Sequence, residues 1–168
     1  MVALALARAG DSARAQKIAD DLAQASPLNT LLNGYWLPAI LASVEMIHKN
    51  PAKAIALLQS ASSYELGSLP PLANGTLYPV YVRGQAYLLL QRGGEAAVEF
   101  QKILDHRGIM LNQPIGALAH LQIGRAFAMQ GDSIKARAAY QDFLALCKDA
   151  DPEIPILKQA KAEYAKLQ

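Results

Sequence analysis

The chain has 168 residues, enough for one domain or one short array of repeats that buries a core without disulfides. Sixteen Lys and Arg against fourteen Asp and Glu leave a net charge of +2, too little to direct the chain to nucleic acid or to an anionic membrane surface. A single cysteine, Cys147, excludes an intramolecular disulfide and a cysteine-based zinc site, and no apolar run reaches the ~20 residues of a membrane span.

Alanine (31) and leucine (25) fill a third of the positions, which predicts an all-helical protein. The opening Met1–Arg8 lacks a basic leader and is broken by Arg8, so it reads as helix rather than as a signal peptide. Apolar periodicity and punctuation predict helices over 1–9, 12–25, 29–48, 51–61, 76–92, 94–106, 114–130, 133–148 and 153–167. Gly10-Asp11-Ser12, Asn50-Pro51, Gly93-Gly94 and Gly131-Asp132-Ser133 divide the helices of successive pairs. They offer Gly for chain reversal, Ser or Asn for capping, and Pro at a first helical position. The Pro-, Gly- and Ser-rich stretch 62–75 reads as a connection between the second and third pairs. The last segment, 153–167, reads as an amphipathic helix that caps the open end, with Glu163, Lys158, Lys161 and Lys166 on its wet face.

The pairs repeat. A small residue followed four places later by an apolar one recurs at Ala15/Ala19, Ala54/Leu58, Ala96/Phe100 and Ala136/Tyr140. The steps between these anchors are 39, 42 and 40 residues. Twelve places before each stands Ala3, Ala42, Gly84 or Gly124, and three after that come Leu6, Glu45, Tyr87 and Phe127. The fullest copy has Gly124, Phe127, Gly131, Ala136 and Tyr140 at the offsets of the tetratricopeptide repeat, which the chain resembles over nearly its whole length. The spacing exceeds the family's ~34 residues, so helices or connections are expected to be longer than usual. The resemblance implies a right-handed superhelical array of antiparallel helix pairs. In such pairs Gly84 and Gly124 admit close approach, Ala96 and Ala136 serve the opposing face, and Phe100, Phe127 and Tyr140 fill between. Leucine at Gly124 is expected to overpack that contact by about 1–3 kcal/mol.

Signals for chemistry are sparse. His48, His106 and His120 stand without a second ligand at metal spacing, so no metal or other cofactor is expected. His120 reads as a packed helix residue, and His48 and His106 as residues near helix C-termini. No nucleophile elbow or phosphate-binding glycine loop is present, Asp20 and Asp21 point to different helix sides, and Cys147 reads as an inert thiol. Catalysis is therefore not expected of this chain.

A binding surface remains. By the resemblance, the first helix of each pair lines a concave groove. The family's ligand offsets fall on Trp36, Ala39, Ser43, Met46 and Ile47; on Tyr78, Tyr81, Gln85, Leu88 and Leu89; and on Leu118, Leu121, Arg125, Ala128 and Met129. Trp36, Tyr78, Tyr81, Gln85, Leu121 and Arg125 suit an aromatic-anchored interface with a protein or peptide partner. The Lys/Asn clamp of chaperone-binding members is replaced here by Ala39/Ser43, Tyr81/Gln85 and Leu121/Arg125.

Longer phrases carry a narrower resemblance. Tyr64–Gly67, Leu77–Gly84, Glu99–Gly108, Gly116–Leu121 and Asp149–Lys158 are similar to the C-terminal repeat region of eukaryote-like serine/threonine protein kinases of the acidobacterial type. The chain has no His-Arg-Asp, Asp-Phe-Gly or glycine-rich kinase loop. The resemblance thus implies a non-catalytic fragment, on the cytoplasmic or the envelope side of a membrane-anchored parent. Two functions are expected on this basis. One is a module that recognises another protein or an adjoining kinase domain; the other is self-association, or a stand-alone scaffold.

Overall fold

The structure, a computed structural model, describes residues 2–67, 77–110 and 113–167, which form helices and no strand. In chain order these are α1 (Val2–Arg8), α2 (Ser12–Ala25), α3 (Leu37–Ile47), α4 (Pro51–Leu57), α5 (Tyr78–Leu89), α6 (Gly93–Asp105), α7 (Arg107–Met110), α8 (Ile115–Met129), α9 (Ser133–Leu146) and α10 (Pro155–Ala165). A π-helical turn, Leu32–Trp36, leads into α3, and a 3₁₀ turn, Ser60–Tyr64, comes after α4. Among these residues no helix is long and apolar enough to cross a membrane.

The expected single helix over 29–48 is therefore divided. Pro38 has no N–H to give the carbonyl of Gly34, so the Leu37 N–H reaches back five residues to Leu32 and the turn widens. Gly34 lets the Tyr64 ring lie against the widened turn; a Cβ there would stand 3.0 Å from Tyr64 Cε2.

Four helix ends share one device. The Asp11, Asn50, Arg92 and Asp132 N–H groups donate to the carbonyls of Leu6, Glu45, Tyr87 and Phe127 at 2.9, 2.9, 2.9 and 3.0 Å. The residue before each donor is left-handed: Gly10, Lys49, Gln91 and Gly131, with φ of 93°, 60°, 59° and 78°. This is the Schellman closure, and it recurs at the 39-, 42- and 40-residue steps of the sequence anchors. The residues three places after Ala3, Ala42, Gly84 and Gly124 are thus the acceptors of the closing bond.

The next helices start on Asp11 and Asp132, whose carboxylates accept from the Arg14 and Lys135 N–H at 3.1 and 3.0 Å. Aspartate rather than serine is therefore the cap. In the third unit the reversal falls on Gln91, and the expectation of a turn at Gly93-Gly94 is corrected. Both glycines lie in the first turn of α6, where a Cβ on Gly93 would stand 2.9 Å from the Ala126 carbonyl oxygen of α8.

Helix α1 packs on α2 and α3, α3 on α4 and α5, α5 on α6 and α8, and α8 on α9. α2, α4 and α6 also touch α3, α5 and α8 respectively. The interfaces are as tight as their small residues require. A Cβ on Gly84 would come within 2.7 Å of the Phe100 ring, and one on Gly124 within 3.0 Å of the Tyr140 ring. Ala96, Ala136, Phe100 and Tyr140 are buried in the contacts these glycines open, while Phe127 is half-buried, with the Lys135 ammonium 5.5 Å from its ring centre.

The stretch 62–75 is only partly described. Its first residues continue the 3₁₀ turn through Tyr64, and Glu65 is buried completely, so this part is built into the core rather than spacing two pairs. Glu65 accepts from Arg83 of α5 at 2.7 Å and from Lys102 of α6 at 2.6 Å, and Arg83 also reaches Glu99 at 2.6 Å. Burial alone would weaken the charge on Arg83, but the Glu99 and Glu65 carboxylates outweigh it and hold its pKa above the ordinary value. Residues 68–75 lie outside the described residues.

Candidate partner-binding groove

Of the expected residues, Ser43, Met46 and Ile47 of α3 and Gln85 of α5 line one cavity and Tyr78 of α5 lines a second, and α1 contributes residues to both that were not expected there. A cavity of about 240 Å³ is lined by Ala7 and Arg8 of α1, Ser43, Met46 and Ile47 of α3, and Val82 and Gln85 of α5. A second, of about 390 Å³, lies between Leu4, Ala5, Arg8, Ala9 and Tyr78. Arg8 borders both. Its guanidinium is 4.9 Å from the ring centre of Tyr81 and 5.9 Å from that of Tyr78, and it donates to Gln85 Oε1 at 3.4 Å. Arg8 is the last residue of a seven-residue helix, and no local pattern marks it as a site residue. Only its offset of five from Ala3, the same as Ile47 from Ala42, carries a signal.

Other expected contacts lie elsewhere. Tyr81 is 1% exposed; its ring meets Phe100 edge-on at 5.8 Å and its hydroxyl accepts from Gln122 at 3.2 Å, so it belongs to the core, which corrects its placement on an open surface. Leu121 is 0% exposed and packs with Tyr140, Phe143, Leu157 and Ala160, which corrects its placement on an open surface. Ala39 is buried, and Ser43 spends its hydroxyl on the Ala39 carbonyl at 2.8 Å. Trp36 is half-buried and stands edge-on to Tyr35, ring centres 5.0 Å apart. Leu88, Leu118 and Ala128 are half-buried, and Leu89 and Met129 are exposed.

Arg125 is occupied. It donates to both Glu163 oxygens, at 2.8 and 2.9 Å, and to Gln122 Oε1 at 3.4 Å; the Tyr140 hydroxyl donates to Glu163 at 2.7 Å. The expectation that Glu163 faces solvent is thereby corrected: α10 lies on α9, its Leu157 and Ala160 are buried, and Glu163 ties it to α8. Burial raises the Glu163 carboxyl, but the Arg125 and Tyr140 hydrogen bonds outweigh it and leave its pKa below the ordinary value. Burial pushes the Tyr140 phenol up, with Glu163 adding to it.

A further apolar cleft, about 470 Å³, runs between α6 and α8 and is bordered by Ala97, Val98, Ile123 and Phe127. His106 at its edge donates from Nδ1 to the Lys102 carbonyl at 2.8 Å, closing the α6 C-terminus. His120 is buried between Asp142, 3.5 Å from Nδ1, and Arg107, 3.5 Å from Nε2; burial lowers its pKa, which Asp142 opposes and Arg107 reinforces. Burial raises the Cys147 thiol, reducing its thiolate fraction. Among the described residues no three His, Cys, Asp or Glu side chains gather as a metal site.

Compared with protein-family models, with curated proteins and with solved structures, nothing matches this chain.

Proposed function

We propose that the chain is a tetratricopeptide-type array, a right-handed superhelix of antiparallel helix pairs, and a non-catalytic module that takes a peptide or helix of a partner protein in its concave groove. One observation carries this reading. Three helices that are not sequence neighbours, α1, α3 and α5, share a single cavity, and each is the first helix of its unit. The recurring Schellman closures support the repeat, and Met46, Ile47 and Tyr78 supply apolar and aromatic contact area.

The test is selection of peptides from a random phage-displayed library on the intact chain, followed by amide-shift mapping of a synthetic winner. Shifts concentrated on α1, α3 and α5, and loss of binding in Met46→Glu with melting unchanged, support the groove. Shifts confined to another face overturn it. The resemblance further makes this module the C-terminal part of a bacterial serine/threonine kinase. Sequencing the source DNA upstream of the first codon tests that: an in-frame kinase domain supports it, and an in-frame stop with a ribosome-binding site removes it. Self-association is the second reading, favoured by Val98 standing 69% exposed on the apolar α6–α8 cleft. Light scattering that gives a monomer at every concentration would dismiss it.

A further inference from the structure

We propose that Arg8 is the cation of a carboxylate subsite, which reads the Asp or Glu side chain of a partner peptide that also brings an apolar residue to Met46 and Ile47. This rests on the groove reading and gives its ligand a chemical class.

The charge argument comes first. Arg8 borders two cavities, and the other residues lining them are apolar or carry only a hydroxyl or an amide. No carboxylate of the described residues forms an ion pair with it; Arg107 and Arg137 also lack one, but the cleft that Arg107 borders includes Asp105 and Asp142, whereas neither cavity at Arg8 has an acid in its lining. The tyrosine rings and Gln85 hold the guanidinium without neutralising it. An arginine restrained in this way loses less side-chain freedom when a ligand arrives.

The molecule also shows what such an arrangement does when a carboxylate is supplied. At Arg125 the guanidinium also donates to a glutamine oxygen at 3.4 Å, and it grips Glu163 through two nitrogens while the Tyr140 hydroxyl donates to the same acid. The gripped helix brings Leu157 and Ala160, six and three residues before the acid, to the same contact. Arg8 has the glutamine partner of Arg125 without the acid, and the rings of Tyr78 and Tyr81 in place of a tyrosine hydroxyl. The ligand it fits is accordingly a segment with an acidic side chain within one or two turns of an aliphatic one.

The experiment uses the intact chain and a random twelve-residue phage library. Winners are then synthesised with acetylated and amidated ends, so that side chains are their only carboxylates. Enrichment of Asp or Glu at one position is expected. Glu→Gln in the peptide, or Arg8→Gln in the chain, should each weaken binding about tenfold or more. The two losses should not add, and Arg8→Lys should retain part of the affinity. Equal binding by Arg8→Gln, or an acid whose effect vanishes in Arg125→Gln instead, overturns the proposal. Winners that map to the groove but carry no preferred acid overturn the subsite and leave the groove reading standing. A library that yields no winner overturns both.

Discussion

Gly84→Ala puts one methyl group where the structure has no room for it. The added Cβ would lie 2.7 Å from both Cε1 and Cζ of Phe100, about 1 Å inside ordinary carbon–carbon contact. Phe100 is fully buried, and its ring also meets Tyr81, so it cannot swing into solvent. Against this stands the helix preference for Ala over Gly, roughly 1 kcal/mol at an interior position of α5. Overpacking costs about 1–3 kcal/mol, and an overlap of this depth on a ring that cannot yield puts it in the upper half of that range, about 2–3 kcal/mol, for a net loss of roughly 1–2 kcal/mol. At this chain length that lowers the melting temperature by about 2–8 °C, measurable by circular dichroism in the far ultraviolet. Phe100→Leu should cost less in the Gly84→Ala background than in the parent, with a coupling on the order of 1 kcal/mol. A Gly84→Ala protein that melts at or above the parent temperature, or a cycle with no coupling, would refute the close α5–α6 contact.

Three more contacts yield expectations of the same kind. Glu65→Gln strips Arg83 and Lys102 of a fully buried partner and should cost about 3–5 kcal/mol in urea unfolding, while Glu65→Leu combined with Arg83→Met should cost less than Glu65→Gln alone. Gln91→Gly relieves a left-handed side chain and should stabilise by about 0.5–1 kcal/mol, whereas Gly131→Ala at the matching turn should destabilise by a similar amount, both read from the urea midpoint. Because the Glu163 carboxyl is held below its ordinary value of 4.5 when folded, its contribution is complete above that pH and fades as acid titrates it. Amide-exchange protection of α10 should therefore fall on acidification from neutral pH to below that value, and Glu163→Gln should flatten the dependence; an unchanged slope would mean that the Arg125 contact does not hold the helix.

The all-helical class, most helix positions and the recurring spacing of the helix ends were legible in the sequence because they rest on local physics. Alanine and leucine set the propensity, and the 39-, 42- and 40-residue steps place the same closing bond at each turn, although the caps fall on Asp11 and Asp132 rather than on the serines beside them. Tertiary structure decided which side chains remain available. Tyr81 and Leu121 share the offsets of groove residues, yet the neighbouring helices bury both, since exposure depends on what a helix is packed against and not on its own period. Glu65 lies in a segment that reads as a spacer; its burial depends on Arg83 and Lys102, 18 and 37 residues away. Glu163 reads as solvent-facing until Arg125, 38 residues back in α8, claims it. Arg8 carries no mark in the linear chain, because what distinguishes it is the pair of tyrosines, seventy and seventy-three residues on, that folding brings beneath it.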